Sequence, residues 1–215
     1  MESPAAPTAK PAYDLEVELV LVANNAKRKI RVGANITFER LHKIIQAAYN
    51  WHESHLYQFL LFKGGEEGER PSVEIVTDKA EATNPKTARL VHRAKLGDYL
   101  DEHKHMMYIY DFGDEWIHYI DVVGKADDSG DKLPWLLSGE NDAPPEDCGG
   151  SEGFADFLKV MSKPKGKEYK EMKQWTAEQG WEPFSLDYAA LRVYLAGNPW
   201  HGVWMKTDKP KTSRK

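Results

Sequence analysis

Two stretches hold most of the side chains that could do chemistry: residues 110–118 (YDFGDEWIH) and 143–150 (APPEDCGG). In the first, Asp111 and Asp114 flank a glycine at the end of a hairpin, and Trp116, His118, Ile120 and Val122 follow on one strand face. Two carboxylates and an imidazole could hold Zn²⁺, Mn²⁺ or Mg²⁺, or move a proton as acid and base. Architecture accounts for the same residues and is favoured: Asp-Gly turns are common, the acids would accept turn amides, and His118 would make one buried hydrogen bond. In the second stretch, Pro144 and Pro145 stiffen the chain, while Gly149 and Gly150 permit backbone angles or close approach that other residues forbid. Between them Glu146, Asp147 and Cys148 are displayed. These acids could simply sit at the positive end of a helix starting near Ser151. A long loop without structure of its own tilts the balance toward a site.

A third stretch, 52–59 (HESHLYQF), offers His55 and Tyr57. The candidate cleft is therefore His55, Tyr57, Asp111, Asp114, Trp116, His118, Glu146 and Asp147, with His55, Asp111, Asp114 and His118 as candidate metal ligands. Other patterns carry less. Residues 149–153 (GGSEG) match a nucleophile elbow, but that motif needs a strand directly before its serine, and Pro144-Pro145 is not one. Ser151 is expected to cap the following helix instead. His52 and His55 are three apart, yet the first helix should stop near Asn50 and a strand start at His55, so they diverge. His103 and His105 flank a loop and are expected to be exposed. Cys148 beside acids should have a raised pKa, the opposite of an activated thiolate. Trp51, Trp116 and Tyr57 are core candidates, one of which could floor a pocket.

The elements that must position these groups follow from periodicity. Residues 13–23 alternate, with Tyr13, Leu15, Val17, Leu19 and Leu21 opposite Asp14, Glu16 and Glu18, a half-buried strand. Residues 28–32 return as its hairpin partner after an Asn24-Asn25 turn. Thr37 caps a helix with Phe38, Leu41, Ile44, Ile45 and Ala48 at helical spacing. Strands follow at 55–63 and 72–77, a loop at 79–86 and a short helix at 96–100. The strongest hairpin joins 106–112 to 116–123 through Gly113-Asp114-Glu115. Residues 125–150 read mostly as loop, and 154–161, 169–179 and 186–196 as helices. Strands first and helices later is an α+β arrangement: an antiparallel sheet, a helix after the first hairpin, and a C-terminal cluster of helices. A flexible leader (1–12), one α+β domain (13–205) and a basic tail (206–215) complete the organisation.

Composition narrows the partners. The chain of 215 residues has a net charge of −5. Five basic residues against Asp208 give the tail +4, which leaves −9 on the rest. Such a body repels phosphate backbones, so nucleic acid is a disfavoured partner and a protein partner an open one. Cys148 as sole cysteine fits a reducing, cytoplasmic setting. Residues 1–11 lack the apolar core of a signal peptide, and the longest apolar run, 19–23, is far too short for a bilayer.

Several motifs together resemble the plasmid pRiA4b ORF-3-like family, which includes TnpR-type passenger proteins of insertion elements. They are Leu41-His42, Trp51 with 55–59 (HLYQF), 110–114 (YDFGD) with Trp116 and His118, 144–150 (PPEDCGG) with Gly153-Phe154, and Trp181 with Phe184. The likeness spans roughly residues 13–196. The chain departs from the family's Trp-Arg-Arg at the first hairpin, where it has Ala26-Lys27-Arg28-Lys29, and has Ile117 at a usually basic position. The resemblance implies an α+β fold and a mobile-element setting, and supplies no activity. The chain shows neither serine- nor tyrosine-recombinase motifs. Three functions are therefore carried: a non-enzymatic binding or accessory module first, a metal-dependent, hydrolase-like enzyme second, and DNA binding through 27–31 and the tail third. The only cofactor implied is a divalent metal.

Overall fold

Alternation in the first strand is visible as burial. In β1 (Lys10–Leu19), Tyr13, Leu15, Val17 and Leu19 turn inward and are almost fully buried, while the acids between them face out. The computed structural model describes residues 10–64, 70–128 and 132–198. Residues 1–9 of the expected leader, the loop 65–69 and the expected basic tail lie outside the described residues. β1 pairs antiparallel with β2 (Ala26–Gly33) and with β7 (Trp116–Asp128). β3 (Tyr57–Phe62), β4 (Val73–Val76), the two-residue β5 (Arg89–Leu90), β6 (His105–Tyr110) and β8 (Trp135–Glu140) complete one sheet of order β5-β4-β3-β6-β7-β1-β2-β8. All pairings are antiparallel except β4 with β5.

α1 (Phe38–Tyr49) starts where Thr37 Oγ1 accepts the Arg40 amide at 3.2 Å and stops where Asn50 turns left-handed, at φ 62°. Its buried stripe of Phe38, Leu41, Ile44, Ile45 and Ala48 joins the inward face of the sheet in one core cluster. α4 (Leu186–Gly197) lies antiparallel along α1: Arg40 donates to Ala196 O at 2.8 Å and Arg192 to Ala47 O at 3.1 Å. α2 (Gly150–Met161) and α3 (Lys167–Glu178) follow the 141–149 loop. Among the described residues no helix is long and apolar enough to cross a membrane. Strands followed by helices make this an α+β fold, as the periodicity implies.

The structure corrects four expectations. Within 125–150 two stretches expected as loop are strand: β7 runs on to Asp128, and β8 adds to the edge at β2. The 79–86 segment, expected as loop, holds a 3₁₀ turn at Lys79–Glu81, whereas the short helix expected at 96–100 is present as a 3₁₀ turn at Leu96–Asp98. His103 is buried, bonded to Ser72 Oγ at 2.9 Å and to Tyr99 O at 3.1 Å. Ser151 does not cap α2; the cap residue is Gly149, and the Ser151 hydroxyl accepts the Val22 amide from across the fold. Arg28 also turns inward. It donates to Ala48 O and Glu140 O and lies 3.8 Å from the Phe184 ring centre, which ties β2, α1 and the edge strand together.

Candidate functional site

The β6–β7 turn spans residues 111–115, two longer than the Gly113-Asp114-Glu115 connection expected, because the last ladder pair is Tyr110 with Trp116. Asp111 and Glu115 both take positive φ, 56° and 51°, and the turn closes through the Glu115 amide on Asp111 O at 2.7 Å. Asp111 Oδ1 accepts the Gly113 amide at 2.9 Å, which fixes the carboxylate and leaves Oδ2 for other work. The Asp111 amide itself donates to Leu56 O at 2.9 Å. That bond sets the turn beside the chain entering β3, and so beside His55.

The third segment is drawn in by a clasp. Tyr110 donates its hydroxyl proton to Glu146 Oε1 at 2.5 Å, while Glu146 Oε2 accepts the His52 amide at 2.9 Å and the Tyr110 oxygen accepts the Ser54 amide at 3.0 Å. Burial first, and the Glu146 carboxylate second, push the Tyr110 phenol far above its ordinary range, so it stays a donor. Two indoles pin the loop just ahead: Trp51 on Pro144 O at 2.9 Å and Trp181 on Ala143 O at 2.7 Å. With Glu146 held inside, Asp147 takes φ 57° and faces outward, its side chain 61% exposed.

His55, Asp111 and Asp147 meet at this point. His55 Nε2 lies 3.1 Å from Asp147 Oδ1 and 3.6 Å from Asp111 Oδ2, and one donor atom of each residue lies within 4.8 Å of the others. Nε2 is buried yet makes no well-aligned hydrogen bond to either carboxylate. Donors at about 2.0–2.2 Å around one tetrahedral ion stand about 3.3 Å apart, the spacing at which the histidine meets its two neighbours. Among the described residues this is the one group of three such side chains so arranged.

The remaining candidates lie elsewhere. Asp114 Oδ2 accepts the Gly149 amide at 3.2 Å, so it serves the start of α2. His118 is fully buried against Tyr49 and Trp51, its Nδ1 donating to Trp116 O at 3.1 Å, and burial pushes its pKa down to about 3. Trp116 and Tyr57 are core side chains; Tyr57 stacks flat on His42 at 3.5 Å. His52 points away, toward Gln179 O. Cys148 has its pKa raised to about 12, mainly by burial and then by Asp114. Tyr110, Ser54 and the clasping role of Glu146 stand outside the candidates that the sequence offers. The signal available was Tyr110 itself, a phenol on the inward side of a strand, which needs a buried partner.

Comparison with known proteins gives the same picture of a whole-chain relationship. The uncharacterised protein y4hQ of Sinorhizobium fredii is 30% identical over 199 residues, covering 92% of this chain and 96% of its own length. The crystal structure of MM3350, a protein of unknown function from Methanosarcina mazei Go1, superposes with a TM-score of 0.69 at 29% identity, over 84% of this chain and 98% of that one. Residues 11–190 match the plasmid pRiA4b ORF-3-like protein family, and the chain belongs to it.

Proposed function

We propose that the protein is a cytoplasmic binding or accessory module whose ligand point is a divalent cation held by His55, Asp111 and Asp147. The supporting observation is the convergence of three ligand atoms from three chain segments, with a buried histidine nitrogen that no hydrogen bond satisfies among the described residues. An imidazole and two carboxylates match the charge and donor preferences of Zn²⁺ or Mn²⁺. Asp111 is fixed by its own turn, and the exposed Asp147 leaves the outer side of the ion open to an oxygen or nitrogen donor from a ligand or a partner.

The open side also favours a second reading, metal-assisted hydrolysis, because catalytic zinc keeps three protein ligands and a water. Binding ranks first because the neighbouring acid is not free to act as a base. Both Glu146 oxygens already accept hydrogen bonds from Tyr110 and His52. DNA binding ranks third. In the first hairpin Lys27 pairs with Glu18 at 3.3 Å and Arg31 with Asp14 at 2.6 Å, and Arg28 is buried, so little free positive charge remains there.

Elemental analysis of protein purified without chelator or a histidine tag tests the proposal. The expected result is about one ion per chain, lost in Asp111→Ala and in Asp147→Ala but kept in Asp114→Asn. Metal-free protein with no thermal shift on adding Zn²⁺, Mn²⁺ or Mg²⁺ would refute it.

A further inference from the structure

Asp147 has a second neighbourhood. On the side of α2 and α3 it lines a cavity of about 460 Å³ together with Phe157, Val160, Glu168, Met172 and Trp175. That volume falls in the range of small-molecule sites, roughly 300–1,000 Å³. The α3 residues Glu168, Glu171, Met172 and Trp175 recur at helical spacing, so one face of the helix carries both the acids and the large apolar groups.

The chemistry of the walls is one-sided. Phe157 is buried in the floor, and Met172 and Trp175 are only half buried. Three carboxylates, Asp147, Glu168 and Glu171, line the cavity, and none of its lining residues is Lys, Arg or His. Glu171 meets Lys167 at 3.4 Å, but both side chains are largely in water, so that pair is weak. Glu168 makes no ion pair among the described residues. Lys159, Lys163 and Lys165 line an adjoining groove that shares Glu168 and Val160 with this cavity, and none of the three lines the cavity itself.

We infer that the cavity between α2 and α3 takes a small organic cation with an apolar body, of the arylalkyl ammonium type. The ring of such a ligand packs against Phe157, Val160 and Met172. Its ammonium group sits among the carboxylates within reach of the Trp175 face, where acid and indole both favour a cation. The site stands independently of the metal reading, with Asp147 the one residue the two share.

Calorimetric titration of the full chain with 2-phenylethylammonium tests this, with 3-phenylpropionate as a probe of similar body and opposite charge, and ethylammonium as the charge without the ring. The arylalkyl cation should bind saturably and at least about tenfold more tightly than either comparison probe. Its affinity should fall at least about tenfold in the double variant Glu168→Gln/Glu171→Gln, which leaves the helix formers in place. Asp111→Asn, which disables only the proposed metal point, should leave binding unchanged. A failed metal reading with amine binding intact would leave this inference standing. Absence of heat from 2-phenylethylammonium at millimolar concentration, equal affinity for the anionic probe, or unchanged affinity in the double variant would each overturn it.

Discussion

Acidification from about pH 7.5 to about pH 5 should cost this fold about 4 kcal/mol, through two buried histidines. His42 Nδ1 accepts from the Tyr108 hydroxyl at 2.8 Å, and that hydroxyl in turn accepts from Gln46 Nε2 at 3.1 Å. His118 donates from Nδ1, while its buried Nε2 has no hydrogen-bond partner among the described residues. Each ring is held neutral, and burial pushes each pKa from 6.5 down to about 3. The folded value lies below the unfolded one, so their contribution is complete above about pH 6.5 and is lost as the pH falls toward 3. At about pH 5 the unfolded chain gains about 2 kcal/mol per histidine by taking up a proton that the folded chain refuses. Any folded pKa below about 4 gives the same figure there, so the magnitude does not depend on the depth of the shift. Urea unfolding followed by tryptophan fluorescence across this range measures it. His118→Phe and His42→Phe should each remove about half of the pH dependence, and comparison with the unaltered chain cancels the other titrating groups. His118→Phe should be well tolerated near neutral pH, because it also removes an unsatisfied nitrogen. Variants whose stability falls with pH as steeply as that of the parent would refute the argument.

Other consequences can be checked singly. Tyr110→Phe takes a donor from Glu146 and an acceptor from Ser54, so denaturant unfolding should show a loss of about 1–3 kcal/mol and cation affinity should weaken as Asp147 drifts. Gly153→Ala would put a Cβ at 1.9 Å from Cys148 O, so a thermal melt should report a loss on the order of 2 kcal/mol or more unless the loop moves. Cys148 should react with an aromatic disulfide reagent far more slowly in the native protein than in urea, since a thiol pKa near 12 leaves on the order of a thousandfold less thiolate. Equal rates in the two states would contradict that burial.

What the sequence reveals, and what it conceals, follows the range of the interactions. β1, α1 and the β6–β7 hairpin are legible because alternation, the Thr37 cap and the Asn50 stop are local. β8 is not, because only Leu136 in it is fully turned to the core, and its partner β2 lies about a hundred residues earlier across a register shift. The site divides the same way. Asp111 and His118 are close in sequence, which makes them look like one cluster, yet His118 shares its strand face with Trp116 and Ile120. An apolar face is an inward face, so that histidine belongs to the core and not to the cleft. Asp147 completes the group only because Glu146, one residue before it, is drawn inside by Tyr110, 36 positions away. A phenol and an acid that offer no ligand therefore decide which carboxylate reaches His55. The sequence motifs 110–114 and 144–150 are two halves of that clasp, and the meeting of His55, Asp111 and Asp147 is its product.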